Sequence, residues 1–186
     1  MQNVLVVFST QHGQTEKIAR RIANGLVRPG ISAEVIDAAG AAHRQLDHYD
    51  AVIVGAPVYE GKFSREIFHW VRDNAIIIQQ MPSGFFSVCL GILEATNEKT
   101  QAEEKAIVTR FLEATGWHPA ISQIFAGSLA YPKYNWVIRN VMRRIARKVV
   151  GATDTRRDHE YTDWDAVDDF ARAFARQLIP GSSVAG

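Results

Sequence analysis

Three hydroxyl side chains surround a glycine near the start of the sequence, where they could bind an anion. Ser9, Thr10 and Thr15 flank Gly13, directly after the apolar residues 4–8 and directly before a segment with helical periodicity. Backbone N–H groups at the start of a helix attract negative charge, and hydroxyl groups donate further hydrogen bonds to it. The pattern therefore predicts a phosphate-binding loop. The residues expected to form it are Ser9, Thr10, Gln11, His12, Gly13, Gln14 and Thr15.

This loop is neither of two better-known phosphate-binding loops, because it lacks residues that each of them requires. A P-loop has a lysine after its last glycine, where this chain has Gln14, and a dinucleotide-binding loop has three spaced glycines, where this chain has Gly13. A hydroxyl-rich loop without a cation suits a single phosphate monoester. The alternative interpretation is an ordinary capped helix start, with Thr15 as the N-cap and Glu16 in the first turn.

Apolar runs alternate with stretches of helical periodicity along the rest of the chain. We predict strands at residues 4–8, 33–36, 49–55, 85–90 and 121–126, and helices at residues 15–26, 64–74, 100–115 and 164–178. The segment Thr162-Asp163-Trp164-Asp165 predicts the capped start of the last helix. Five strands that alternate with helices are typical of an α/β fold with a parallel sheet covered on both faces. Ligands of such sheets bind at the carboxyl ends of the strands, so the loops after strands one, three and four should converge.

The hydroxyl-rich loop and this order of elements resemble flavodoxin-like proteins, which hold the phosphate of FMN after their first strand. The resemblance implies a three-layer sandwich with a five-stranded parallel sheet of order 2-1-3-4-5, and FMN as the cofactor. After strand three, Tyr59 is the candidate to stack on the flavin ring, beside Pro57 and Val58. Around the end of strand four, small residues would let backbone N–H groups approach the polar edge of the ring. The candidate cofactor residues there are Ser87, Val88, Cys89, Leu90 and Gly91.

Length and composition predict one globular domain. The 186 residues are 47% hydrophobic and 22% charged, which is ordinary for such a domain. We expect the domain to span residues 1–179, with a flexible tail at residues 180–186. The single cysteine excludes an intramolecular disulfide bond, no targeting segment is expected at the start, and no apolar run reaches the roughly 18 to 20 residues that span a bilayer. These features predict a cytoplasmic protein, or one peripheral to the inner face of the cell membrane.

Several segments together resemble the menaquinone-dependent protoporphyrinogen dehydrogenase family of bacterial haem synthesis. The most specific are Thr153-Asp154-Thr155-Arg156 and Tyr161-Thr162-Asp163-Trp164, joined by the hydroxyl-rich loop and by Met81-Pro82-Ser83. The resemblance extends from residue 4 to about residue 178. It implies oxidation of protoporphyrinogen IX to protoporphyrin IX by FMN, with a quinone as electron acceptor. The family commonly has its tyrosine immediately before the glycine of the third loop, so the stacking residue is Tyr59 or a neighbour.

A long insert, residues 127–160, lies between the fifth strand and the last helix. It is too aromatic and apolar for disorder, and its basic helical segment has apolar residues on one side and Arg139, Arg143 and Arg147 on the other. Such a segment can lie on an anionic membrane surface, bind porphyrin carboxylates, or pack on its own domain with a solvated basic face. The sequence leaves these three interpretations open.

Two other functions stay open beside the dehydrogenase. A flavodoxin-type electron carrier would usually be strongly acidic around its flavin, which the net charge of +1 and the basic insert do not favour. An NAD(P)H-dependent quinone reductase leaves little trace in the sequence of such a fold. We predict no metal site and no nucleic-acid partner, identify no catalytic side chain, and leave homo-oligomer formation open.

Overall fold

A parallel sheet forms along the apolar runs of the sequence in the computed structural model, which describes residues 1–89, 98–129 and 159–178. Its strands lie in the order β2-β1-β3-β4-β5, and each is parallel to its neighbours. This confirms the predicted sheet and its order. The strands are β1 (Gln2–Phe8), β2 (Ile31–Asp37), β3 (Ala51–Pro57), β4 (Ser83–Cys89) and β5 (Ile121–Ala126).

Helices cover both faces of this sheet and complete the predicted three-layer sandwich. On one face, α1 (Gln14–Leu26) and α5 (Trp164–Gln177) pack on alternate side chains of the strands. On the other face, α3 (Arg65–Ile78) and α4 (Glu98–Thr115) pack on the remaining side chains, together with the short helix α2 (Ala38–Ala41). Because residues 4–8 of β1 contribute apolar side chains to both cores, they form an unbroken apolar run with no alternation.

Several predicted boundaries differ from those in the structure. The third strand covers Ala51–Pro57, so residues 49–50 precede it and the strand extends to the candidate residue Pro57. Helix α3 continues to Ile78, four residues beyond the predicted end, because no helix-breaking residue follows Asn74. The prediction also missed α2 and a single 3-10 turn at Leu46–His48, which are too short to show a period.

A two-stranded antiparallel ribbon closes the base of the insert. Strand β6 (Ser128–Leu129) pairs with β7 (His159–Glu160), so residues 128 and 160 are neighbours. The sequence did not predict this pairing. The insert residues Arg139, Arg143 and Arg147, the candidate residues Leu90 and Gly91, and the predicted tail at residues 180–186 all lie outside the described residues. Within the described residues, no helix combines the length and apolar character needed to cross a membrane.

Candidate functional site

The hydroxyl-rich loop forms a tight turn between β1 and α1. The N–H of Ser9 donates to the carbonyl of Gly55 at 3.0 Å and thereby extends the pairing of β1 with β3. The hydroxyl oxygen of Thr10 then accepts the N–H of Gly13 at 2.9 Å. Gly13 has φ +90°, a left-handed conformation that glycine adopts without steric cost, and its carbonyl accepts the N–H of Lys17. The turn therefore directs the chain from the end of β1 straight into α1.

The alternative interpretation, an ordinary capped helix with Thr15 as N-cap, is wrong. The N-cap is Gly13, and no side chain caps the first turn of α1. Thr15 lies inside the helix and is buried. The first amides of α1 have no partner within the helix, and an uncapped helix start of this kind is suited to bind an anion.

Ser9 provides a second indication of a ligand. Its hydroxyl is buried and forms no hydrogen bond within the described part of the chain. Buried hydroxyl groups normally have a partner, because an unmet one costs stability. A phosphate at the start of α1 would supply that partner. The residues of this loop thus fit the phosphate of FMN.

The loop after β3 approaches the hydroxyl-rich loop from one side. Tyr59 and Lys62 exchange two backbone hydrogen bonds, of 2.9 and 3.0 Å, across a turn formed by Glu60 and Gly61. Both central residues have positive φ, +49° and +71°, as in a type I′ turn. A left-handed glutamate is uncommon, and such conformations concentrate at ligand-binding sites. The turn leaves Tyr59 half-buried and Glu60 exposed.

A cleft of about 450 Å³ lies between these two loops. Its walls combine the loop after β1, the Tyr59 turn and the start of α3, and such a volume is typical of a small-molecule site. The structure therefore brings together Ser9, Thr10 and Gln11 of the first loop with Pro57 and Tyr59 of the third, while the other predicted residues of these two loops do not line this cleft. The lining includes Ser9, Thr10, Gln11, Pro57, Tyr59 and Phe63.

The candidates on β4 have a different environment. Ser87 is fully buried within the sheet, Val88 packs in the core beneath α1 and α5, and Cys89 is buried at the end of the strand. The carbonyls of Val88 and Cys89 accept the N–H groups of Val58 and Gly127, at 2.8 and 3.0 Å. These carbonyls therefore hold neighbouring loops in place. Cofactor contacts by Ser87, Val88 and Cys89, as by the other candidate residues, stay predictions.

Glu104 is an ionisable residue near the end of β4 that the sequence analysis did not identify. It lies on α4 and is half-buried, and burial raises the pKa of its carboxyl while a hydrogen bond from Cys89 opposes that rise. Its position could have been recognised from spacing. Glu104, Val108 and Phe111 follow one another at intervals of four and three residues, which places them on the same face of the helix.

Thr162 is a second residue whose role the sequence did not reveal. The helix start predicted at Thr162-Asp163-Trp164-Asp165 is confirmed, with Asp163 as the N-cap, whose side chain accepts two N–H groups of the first turn. Thr162 instead contacts the hydroxyl-rich loop. Its hydroxyl accepts the side-chain N–H of Gln14 at 2.8 Å. The Gln14 side chain therefore points toward the base of the insert, and its backbone N–H belongs to the uncapped helix start.

Comparison with known proteins agrees with this architecture. A family model described as a flavodoxin domain matches residues 5–156. Among solved structures, oxidised flavodoxin 1 from Bacillus cereus superposes with a TM-score of 0.57 at 16% identity, covering 96% of this chain and 100% of that one. The flavodoxin of Streptococcus pneumoniae TIGR4 superposes with a TM-score of 0.53 at 14% identity, covering 95% and 97%. At these identities the likeness concerns the fold.

Curated relatives are much more similar in sequence. Protoporphyrinogen IX dehydrogenase (quinone) of Escherichia coli strain K12 is 34% identical over 171 residues, which are 92% of this chain and 93% of the relative. The protein of the same name from Leishmania major is 33% identical over 172 residues, which are 92% of this chain and 74% of the relative. The chain therefore belongs to the flavodoxin-domain family and, within it, to the family of these protoporphyrinogen IX dehydrogenases.

Proposed function

We propose that this protein is an FMN-dependent oxidoreductase that oxidises protoporphyrinogen IX to protoporphyrin IX in haem biosynthesis, with a quinone as electron acceptor. The observation that carries this proposal is the 34% identity to the Escherichia coli enzyme across 92% of the chain. The cleft beside an uncapped helix start supports it, because that geometry suits a ligand with one phosphate and a flat ring.

Phosphate binding would fall to the loop that joins β1 to α1. The first amides of α1 have no side-chain cap, and the buried Ser9 hydroxyl is available to donate a hydrogen bond. Thr10 holds the turn in shape through its bond from Gly13, so its hydroxyl has a structural partner already. The loop itself offers no lysine or arginine, which suits a single phosphate better than a chain of phosphates.

Ring binding would fall to the cleft between the first and third loops. Tyr59 lies on its wall, half-buried, where its ring could cover one face of the isoalloxazine. FMN, when bound, would accept a hydride, which is one hydrogen with both electrons of a C–H bond of the substrate, and would pass the two electrons on to the quinone. The protein's part is then to orient the ring and the tetrapyrrole and to exclude water.

The insert would determine where the protein works. Arg139, Arg143 and Arg147 recur every four residues in the sequence and would attract an anionic surface. A quinone dissolved in a membrane is reached most directly by a protein held at that surface. We therefore include peripheral binding to the inner face of the cell membrane in the proposal.

An anaerobic reduction experiment tests the function. The protein is reconstituted with FMN and mixed separately with protoporphyrinogen IX, NADH and NADPH, while the flavin absorbance is followed. We expect reduction by protoporphyrinogen IX and reoxidation by a menaquinone analogue. Fast reduction by NADH or NADPH, with none by protoporphyrinogen IX, would indicate a quinone reductase. Reduction by none of the three compounds, with flavin bound, would indicate an electron carrier.

A further inference from the structure

The side chains of Gln14 and Thr162 form a buried hydrogen bond across 148 positions of the sequence. The amide Nε2 of Gln14 lies 2.8 Å from the hydroxyl oxygen of Thr162 and donates to it. Gln14 is 6% exposed and Thr162 is 9% exposed. Water therefore cannot readily replace either partner, and breaking the bond would leave a buried polar group unmet.

The same hydroxyl continues the contact to the sheet. Thr162 donates to the backbone carbonyl of Ala126, the last residue of β5, at 2.8 Å. A threonine hydroxyl has a single hydrogen to donate, and here it goes to Ala126. The same oxygen accepts the N–H of Gln14, so the hydroxyl acts as donor and acceptor at once. Valine has nearly the same shape, but its side chain can neither donate nor accept a hydrogen bond. The Gln14–Thr162 contact therefore depends on the hydroxyl and not on the volume of the side chain.

Further bonds next to the Gln14–Thr162 contact involve the ribbon of β6 and β7. The N–H of Tyr161 donates to the carbonyl of Gly127 at 3.2 Å. Lys17, on the first turns of α1, also lies 3.2 Å from Glu160 on the ribbon, but this ion pair is exposed and such pairs contribute little to holding two segments together. Thus the buried contact of α1 with Thr162 lies beside the residues that open and close the insert.

Gln14 is also the first residue of α1, and its backbone N–H belongs to the uncapped turn that we assign to phosphate binding. We propose that Gln14 and Thr162 are positioning residues for the FMN phosphate, so that cofactor binding and pairing of the β6–β7 ribbon stabilise each other. This inference rests on the proposed function, because it requires FMN at the start of α1. Coupling of this kind is reciprocal by thermodynamic necessity.

The test compares variants of the full-length protein by two measurements. The first is the Kd of FMN for the apoprotein, from quenching of flavin fluorescence. The second is amide hydrogen exchange in residues 126–129 and 159–162, with and without FMN. In the wild type, FMN should slow exchange in both segments. In Thr162→Val, FMN affinity should fall about 5- to 20-fold, a usual range for coupled sites. Exchange in that variant should no longer respond to saturating FMN.

Three further variants separate positioning from general destabilisation. Thr162→Ser keeps the hydroxyl and should restore both the affinity and the exchange response. Glu160→Gln breaks the exposed ion pair beside the same junction and should leave the affinity unchanged. The double variant Gln14→Met, Thr162→Val removes the Gln14 amide together with the hydroxyl. It should therefore recover the part of the thermal stability that Thr162→Val loses through the unmet amide, while the Ala126 carbonyl lacks its donor in both variants, and FMN affinity should not recover.

Three results would overturn the inference. These are an unchanged FMN Kd in Thr162→Val, full affinity in the double variant, or a wild-type ribbon whose exchange is the same with and without FMN. Each of these leaves the proposed function standing, since all are measured on protein that binds FMN. A wild-type protein that binds no FMN would instead contradict the proposed function itself, and this inference with it.

Discussion

The hydroxyl oxygen of Thr10 lies 2.9 Å from the backbone nitrogen of Gly13 and accepts its N–H. The adjacent hydroxyl, that of Ser9, is buried and has no partner in the described part of the chain. Two neighbouring hydroxyl groups therefore have different environments. Thr10 bonds to the turn itself, whereas the Ser9 hydroxyl has its hydrogen-bonding capacity unused in the described part of the chain.

Alanine substitutions should distinguish these two hydroxyl groups. Ser9→Ala should weaken FMN binding by about 1.5 to 3 kcal/mol, the range for a hydrogen bond to a charged group, and leave the apoprotein at least as stable as before, because the unmet hydroxyl is removed. Thr10→Ala should lower the free energy of unfolding of the apoprotein by about 1 kcal/mol. Titration with FMN and urea denaturation of the apoproteins measure the two effects. Loss of apoprotein stability in Ser9→Ala, with unchanged affinity, would contradict this division.

Thr15→Val should weaken FMN binding by about 1 to 3 kcal/mol, because it removes a hydroxyl donor from the first turn of α1. Thr15 is 1% exposed, so valine fits the same space. Thr115→Val is the matched control, since Thr115 is also buried but bonds to the carbonyls of Phe111 and Leu112 at the end of α4. The control should change thermal stability and not FMN affinity. Equal affinities in wild type and Thr15→Val would remove Thr15 from the phosphate site.

Tyr59→Ala should change the visible spectrum of bound FMN or its affinity, because it removes the aromatic ring from the wall of the cleft. Glu60→Ala should do neither, since Glu60 is exposed and its side chain forms no part of the predicted stack. Spectra of the two reconstituted proteins at equal FMN occupancy make the comparison. The opposite pattern would assign the stack to the neighbouring position.

Glu104→Gln should change how stability depends on pH. Burial raises the pKa of Glu104 above its ordinary value of 4.5, so the folded protein holds this proton more tightly than the unfolded chain does. Its contribution to stability is complete below pH 4.5 and is lost as the pH rises through the folded-state pKa. The neutral glutamine avoids that loss.

We therefore expect Glu104→Gln to match the wild type at low pH and to exceed it at pH 7. The difference in Tm should be about 1 to 3 °C, the response of a domain of this size to less than 1 kcal/mol, since half-exposure weakens the effect. Thermal melts between pH 4 and pH 8 measure it. If the Tm of the variant differed from that of the wild type by the same amount across that range, the charge of Glu104 would not be the cause of the difference.

Arg139, Arg143 and Arg147 changed together to Glu should lower liposome affinity by about two orders of magnitude, at roughly 1 kcal/mol for each basic residue near an anionic surface. FMN content should stay normal. Turnover with a membrane quinone should fall, and turnover with a soluble quinone analogue should survive.

A control with the same change of charge is available on the described helices α3 and α4. Arg72, Lys105 and Arg110 are exposed, and their joint replacement by Glu should leave liposome binding largely intact. If the insert variant loses turnover with both quinones while it keeps its flavin, the arginines bind the porphyrin carboxylates instead. If neither liposome binding nor turnover changes, they belong to a solvated face.

Local sequence was sufficient for the strands and for the turn that we propose to bind phosphate. Parallel strands buried on both faces must be apolar throughout, so the run at residues 4–8 identifies β1 without knowledge of its partners. The glycine and hydroxyls that follow it determine the turn, because the bond from Gly13 to Thr10 spans three residues. Strand order came from the resemblance to flavodoxin-like proteins, and the structure confirmed it.

Contacts between distant segments were decided by tertiary structure alone. The sequence predicts Gln14 as a phosphate-loop residue and places Thr162 in the start of the last helix, and nothing local to either reveals their hydrogen bond. The pairing of β6 with β7 is equally hidden, since two-residue strands have no measurable period. Sequence patterns record which face of an element is buried. They do not record which polar group from a distant segment becomes the hydrogen-bond partner, because that depends on how the whole chain folds to bring the two segments together.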